Sequence, residues 1–160
     1  MSTSIPALHV SDPSKVEGKG EIFIASRQDA ASSGVFTVKL AAHFDPAGAD
    51  VYPVGAIAIT VDLNDGLKGS FGAASIELIN SYGKANPTVY LTGRCSLQRS
   101  KLERVPQGLR YWLMIADNSS QNSDRQAPDV VGFAIHDRAG ARVAYGAGPV
   151  RTGQFTVTPK

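Results

Sequence analysis

The sequence predicts an all-β fold, an antiparallel sandwich or barrel of eight to nine strands. Short runs alternate between apolar and polar side chains with a period of two, as strands with one buried face do. Most of the 16 Gly and 9 Pro lie between these runs at fairly even spacing, and no long segment combines a helical period with helix caps. Sandwiches and barrels both need alternating strands and frequent turns, so the pattern leaves the two architectures open.

In the first half, we expect an irregular N-terminal arm over residues 1–18, followed by a single β domain over residues 19–160. Residues 64–66 are Asn-Asp-Gly, which tolerate positive φ and favour a hairpin turn. Gly69 and Gly72 interrupt the fourth run, where a glycine often marks a bulge or a bend. The runs of this half cover residues 20–25, 35–44, 54–63 and 67–80.

In the second half, the run at residues 109–116 carries large apolar side chains on both faces, which predicts a central strand covered on both sides. The polar segment 117–128 is predicted to be the longest loop, and residues 146–149 a further connection. The runs of this half cover residues 88–97, 109–116, 130–136, 141–145 and 154–158.

The composition limits the class of protein. A chain of 160 residues, 42% of them hydrophobic, is typical of one globular domain. Because the net charge is only +2 and no run of three basic residues occurs, we expect no nucleic-acid partner. The lone Cys95 excludes an internal disulfide and a Cys-rich zinc site. Residues 1–13 lack the pattern of a signal peptide, and no stretch is apolar enough to span a membrane.

Turn glycines and strand-flanking aspartates recur through residues 87–157, in the segments 91–93, 108–117, 129–135, 137–140, 143–145 and 153–157. This series is similar to the bacterial post-COAP domain, in which a strand ending in Asp precedes a loop, an Asp-led strand, a Gly turn and a short last hairpin. The resemblance implies an all-β module of secreted or surface proteins, usually without an assigned activity and with no catalytic motif. It implies an extracellular or cell-surface location; without it, a cytoplasmic one is equally consistent.

The polar loop at residues 117–124 concentrates oxygen atoms that calcium prefers as ligands. Its spacing does not match an EF-hand. The alternative, which we favour, is a solvated loop whose Asn, Asp and Ser side chains bond to their own backbone. No other cofactor is expected. The candidate metal ligands are Asp117, Asn118, Asp124 and Asp129.

A second set of candidates shares one strand face if the runs at residues 88–97 and 109–116 pair. An arginine beside aromatic rings can line a pocket for an anionic or oxygen-rich ligand. Alternatively, Arg94 caps an edge of the core and stacks on Trp112 for packing alone. The candidate ligand-binding residues are Arg94, Trp112, Tyr90 and Met114.

No catalytic residue is expected, because the sequence contains no nucleophile elbow, zinc-protease pair or phosphate-binding loop. His9, His43 and His136 are expected to be structural or surface residues. Cys95 shares a strand face with apolar residues, which predicts a buried, inert thiol rather than a nucleophile.

Three functions stay open at this point. The first is a non-catalytic binding module that contacts a protein, glycan or small molecule through its loops at residues 117–128 and 146–153. The second is a small β-barrel isomerase, cyclase or carrier that confines an apolar metabolite in an interior pocket beside Arg94 and Trp112. The third is a structural protein that self-associates through an exposed sheet edge.

Overall fold

The fold is a single antiparallel sheet, which confirms the all-β prediction. The structure is a computed structural model that describes residues 14–24, 34–45, 52–63, 68–83, 87–98, 108–118 and 128–158. These residues contain no helix, and so none that could cross a membrane. The strands are β1 (Ser14–Ile24), β2 (Gly34–Phe44), β3 (Val54–Leu63), β4 (Lys68–Ala73), β5 (Leu78–Tyr82), β6 (Thr88–Gln98), β7 (Leu109–Ala116), β8 (Val130–His136), β9 (Arg142–Pro149) and β10 (Thr152–Thr158).

The strand order is β10-β1-β2-β3-β4-β6-β7-β8-β9, and β5 also pairs with β6. Neighbours in the sheet are mostly neighbours in the chain, except that β10 returns to pair with β1. The sheet curls strongly into a half-barrel, so one sheet wraps around the core where a sandwich would need two. The curl brings β10 against β7, and β9 against β1.

The core lies inside this curl and is built from alternate residues of the strands. Burial alternates along β2 and β7, as the period of two predicted. The rings of Phe36 on β2 and Phe133 on β8 meet edge to face with their centroids 4.9 Å apart, so opposite walls of the half-barrel touch. Each fully buried side chain of this size contributes about 1.5–3 kcal/mol relative to its exposed state.

Three main differences separate the observed strands from the sequence prediction. β1 begins at Ser14, so residues 14–18 belong to a strand and not to an irregular arm. The fourth run divides after Ala73 into β4 and β5, and β9 continues to Pro149 through the expected connection. The described residues therefore form ten strands. The rest of the arm, residues 1–13, and the turn at residues 64–66 lie outside the described residues.

The break between β4 and β5 is a detour of residues 74–77 along the edge of β6. The N–H of Ser75 donates to the carbonyl of Arg94 at 3.2 Å, and the N–H of Glu77 donates to the carbonyl of Thr92 at 2.8 Å. Gly93 permits this close approach, because a Cβ there would overlap the carbonyl oxygen of Ser75. The detour brings the Glu77 carboxylate to the outer face of the sheet beside Arg94.

Two buried aspartates close the free edge of β10, whose other edge pairs with β1. The N–H of Phe155 donates to Asp129 Oδ2 at 2.8 Å, and the N–H of Val157 donates to Asp117 Oδ2 at 3.0 Å. Asp129 Oδ1 also accepts the N–H of Asn118 at 2.9 Å. These carboxylates accept hydrogen bonds from strand N–H groups that would otherwise be unpaired and open to pairing with another strand.

We expect Asp129→Ala to lower the free energy of unfolding by about 3 kcal/mol, because it leaves the N–H groups of Phe155 and Asn118 without their acceptor. Asp137→Ala is the matched control. Its carboxylate also accepts two backbone N–H groups, but in an exposed turn, so the loss should be about 1 kcal/mol. Chemical denaturation measures both. Equal losses would contradict the special role of the buried edge.

Two glycines allow neighbouring strands to approach each other closely. Gly18 has φ +146°, and a Cβ there would overlap the carbonyl oxygen of Gln154 on β10. Gly55 has φ +148°, and a Cβ there would overlap the carbonyl oxygen of Ala41 on β2. Any other residue would strain the backbone and push the strands apart at these points.

We expect Gly18→Ala to destabilise the protein by about 2 kcal/mol, through an unfavourable φ and a clash with the main chain. Gly148→Ala is the control, since a Cβ there meets nothing within 4 Å. It should leave the unfolding midpoint in denaturant nearly unchanged. A Gly18→Ala protein with the same midpoint as the native chain would refute the claim that β1 and β10 need a glycine at this position.

Candidate functional site

The outer face of β6 and β7 brings the four predicted ligand-binding residues together. Because the two strands pair, Tyr90 lies opposite Met114, and Thr92 lies opposite Trp112. Arg94 is two residues beyond Thr92 on β6 and therefore lies on the same face. The rings of Tyr90 and Trp112 are 5.8 Å apart and tilted by 38°. Trp112 is 39% exposed, so β7 is not covered on both sides as its sequence suggested.

Small residues on β8 leave space for the side chains of Met114 and Trp112. A Cβ at Gly132 would lie 3.4 Å from Met114 Cε and 3.8 Å from Trp112 Cζ3, so both side chains extend over that glycine. Ala134 lies opposite Trp112 on one side and Tyr145 on the other. The aromatic rings therefore stand above a floor of Gly and Ala, with Tyr145 at its far margin.

A row of basic side chains crosses the sheet next to these rings. Arg94 lies opposite Arg110, Arg110 opposite His136, and His136 opposite Arg142. Adjacent strands lie about 4.8 Å apart, so the row offers one basic group per strand across β6, β7, β8 and β9. Of the four, the sequence singled out only Arg94 as a candidate for binding.

A β-bulge sets the position of Arg142. The register of β8 and β9 shifts between Ile135 and His136. Residues three apart on a regular strand face opposite ways, but the extra residue of a bulge returns them to the same face. Consistent with this, the guanidinium carbon of Arg142 lies 4.0 Å above the ring of Tyr145, in cation–π contact.

Glu77 is the counter-ion at one end of the row. Its Oε1 accepts a hydrogen bond from Arg110 Nη1 at 3.0 Å, and its Oε2 lies 3.6 Å from Arg94 Nε. The hydrogen bond from Arg110 is the main cause of a lowered pKa of Glu77, and Arg94 adds to it. Among the described residues, no carboxylate forms an ion pair with His136 or Arg142. Positive charge therefore prevails on this surface.

We call this surface the aromatic–basic face. It is an exposed sheet face, and the pocket that the sequence suggested beside Arg94 and Trp112 stays a prediction. Arg94 pairs with Glu77 at its border. The face comprises Tyr90, Trp112, Met114, Tyr145, Arg94, Arg110, His136 and Arg142.

Three of the four predicted metal ligands are described, and they lie elsewhere, at the closed edge of β10. Asp117 and Asp129 are buried, and their carboxylates accept main-chain N–H groups. The side-chain amide of Asn118 donates to the carbonyl of Pro128 at 2.9 Å. Asp124 lies outside the described residues. No cluster of three His, Cys, Asp or Glu occurs in the described part of the chain, and calcium binding stays a prediction.

One of the two loops that we expected to form a contact surface, residues 146–153, is shorter than predicted. Most of the segment 146–153 belongs to β9 and β10, which leaves only residues 150 and 151 between the strands. Of the segment 117–128, the structure describes residues 117, 118 and 128. The exposed groups that come together are on strands instead.

The structure describes Cys95 and two of the three histidines. Cys95 is buried, and its burial raises the pKa of the thiol to about 11. His43 is exposed on β2, and His136 is half-buried in the basic row. His9 lies outside the described residues.

A groove of about 660 Å³ lies over the outer surface of β1 to β4. Its lining includes Lys19 and Lys39 but neither Arg94 nor Trp112. Comparison with known protein families, curated proteins and solved structures finds no match for this chain.

We expect Cys95 to react with a thiol reagent at pH 8 about 100-fold more slowly in the native protein than in denaturant, because the raised pKa leaves little thiolate. The native rate should climb as the pH rises towards the thiol pKa. Absorbance of the released reagent measures it. Equal rates in native and unfolded protein would show that the thiol is accessible and ionised.

Proposed function

We propose that this protein is a non-catalytic binding module that holds an acidic glycan on its aromatic–basic face. The observation that carries the proposal is the unbroken cross-strand row Arg94, Arg110, His136 and Arg142, which has Glu77 as its counter-ion. Like charges directly opposite each other in a sheet cost stability. An anionic ligand would offset that cost.

The chemistry of the face suits a carboxylated sugar. Guanidinium groups bind carboxylates through two parallel hydrogen bonds. The exposed ring of Trp112 and its neighbour Tyr90 present apolar area with polar tips, which suits the C–H face of a sugar ring. Because the row repeats at the strand spacing of about 4.8 Å, a glycan lying across the strands meets a basic group at each of them.

Two further points support this function over its alternatives. The net charge of +2 and the lack of basic runs disfavour a nucleic-acid partner. The resemblance of residues 87–157 to the post-COAP domain favours a module without an activity. An isomerase or carrier would need an interior pocket beside Arg94 and Trp112, and that alternative stays a prediction.

Affinity electrophoresis tests the proposal with three polymers in the gel: polygalacturonate, neutral dextran and single-stranded DNA. We expect polygalacturonate alone to retard the protein. Trp112→Ala and Arg142→Ser should each weaken that retardation about tenfold, since exposed Trp and Arg anchors contribute 1.4 kcal/mol or more to such interfaces. High salt should weaken the retardation of the native protein.

The matched controls lie on β1 and after β9, where Arg151 is stacked 5.3 Å from the exposed ring of Phe23. Phe23→Ala removes an aromatic ring and Arg151→Ser removes a guanidinium group, both away from the face, and both variants should leave the retardation unchanged. Equal loss in the controls would contradict the site. Retardation by DNA and not by polygalacturonate would contradict the ligand class, and retardation by neither would contradict the function.

A further inference from the structure

The groove over β1 to β4 is a separate feature of the outer surface. Its floor is made of small side chains in cross-strand pairs: Ala41 lies opposite Ala56, and Ala58 lies opposite Gly72. The volume of about 660 Å³ is within the range of roughly 300–1,000 Å³ that small-molecule sites occupy. The groove therefore offers an apolar trough of ligand size.

Two lysines stand at the end of this trough. Lys19 on β1 lies directly opposite Lys39 on β2, and Lys39 in turn lies opposite Ala58, so the lysines continue the row of small residues. Both are exposed. Two ammonium groups on directly opposed residues repel each other, and such pairs are disfavoured in sheets.

The nearby carboxylates do not relieve this repulsion. Glu17, on the same strand as Lys19, lies 3.7 Å from Lys15. Glu21, on the other side of Lys19, forms an ion pair with Arg151. Among the described residues, neither Lys19 nor Lys39 forms an ion pair with a carboxylate. The site thus lacks one negative group between two positive ones.

We propose that the groove binds a single-chain amphiphile with a carboxylate head group, of the fatty-acid class. The carboxylate sits between Lys19 and Lys39, and the hydrocarbon chain lies across the strands over Ala58 and Gly72. This site shares no residue with the aromatic–basic face, and it does not depend on the function proposed there.

The polarity of the surface at the two ends of the groove favours this class of ligand. On the far side of Lys19, a polar depression of about 300 Å³ is lined by Glu21, Thr37 and Thr152. Lys19 borders both the depression and the apolar trough. A ligand that follows the surface therefore meets hydroxyl groups and the Glu21 carboxylate, which is paired with Arg151, then cations, then methyl groups. This order of polar, charged and apolar surface matches a ligand with a charged head and an apolar tail. An acidic peptide would instead leave the alanine floor without an apolar partner.

The test is a fluorescence titration of the full chain with cis-parinaric acid, followed by displacement with palmitate or with neutral hexadecanol. We expect palmitate to displace the probe and hexadecanol to be at least about tenfold weaker, because it lacks the charge that the lysines bind. The double variant Lys19→Gln/Lys39→Gln should lose about tenfold in affinity for the probe. Ala56→Phe should abolish binding by filling the trough.

Each variant has a control on the same strand and face. Lys15→Gln removes an exposed β1 lysine that lies beside Glu17, and Thr60→Phe adds a ring to β3 outside the groove lining. Neither should change the affinity for the probe, and thermal melting confirms that all four variants fold. Trp112→Ala should also bind the probe normally, which separates this site from the proposed glycan site. No binding by the native protein, equal affinity for hexadecanol and palmitate, or unchanged binding in both groove variants would overturn the proposal.

Discussion

A curled sheet that stops short of a closed barrel leaves main-chain N–H groups of its last strand without a strand partner. Here two carboxylates from the far side of the sheet accept hydrogen bonds from these groups. Asp117 follows β7 and Asp129 precedes β8, yet their oxygens meet the N–H groups of Val157 and Phe155 on β10. This contact holds β10 in place, and with it the buried rings and methyl groups that β10 adds to the core. It also covers the edge of β10, one of the edges through which such a sheet could pair with another copy of itself.

The core fills the inside of the half-barrel, so both proposed binding surfaces lie on its outer face. Phe36 and Phe133 touch across the interior, and inward-facing side chains form one contiguous core. The outer surface then divides by composition. Over β6 to β9 it carries rings and guanidinium groups, whereas over β1 to β4 it carries alanines flanked by lysines. A scaffold whose two halves differ in this way is suited to holding ligands on sheet faces, where side-chain positions are fixed by strand register and not by loop conformation.

Local pattern predicted the strands well, because a period of two depends only on neighbours in the chain. β7 and β8 begin and end at the predicted residues, and Tyr90, Arg94, Trp112 and Met114 share the predicted face. The basic row could not be predicted, since it depends on the order of four strands and on a bulge that turns Arg142 outward. The role of Asp117 as an acceptor at the edge of β10 could not be predicted either, because the N–H donor, on Val157, lies 40 residues away in the chain. A carboxylate in a polar segment looks the same whether its partner is calcium, water or a distant strand.

Both proposed sites place like charges opposite each other: Arg94 faces Arg110, and Lys19 faces Lys39. The detour between β4 and β5 supplies Glu77 to the arginine pair, whereas no described carboxylate serves the lysine pair. A sequence selected for stability alone would replace one member of each pair, since opposite or neutral partners stabilise a sheet. Local rules are broken most often at functional sites. In each half, basic side chains remain that pair with no described carboxylate, His136 and Arg142 in one and Lys19 and Lys39 in the other, and they support the proposal of an anionic ligand. The neighbouring surface, rings in one half and methyl groups in the other, is the basis for the rest of each proposed ligand.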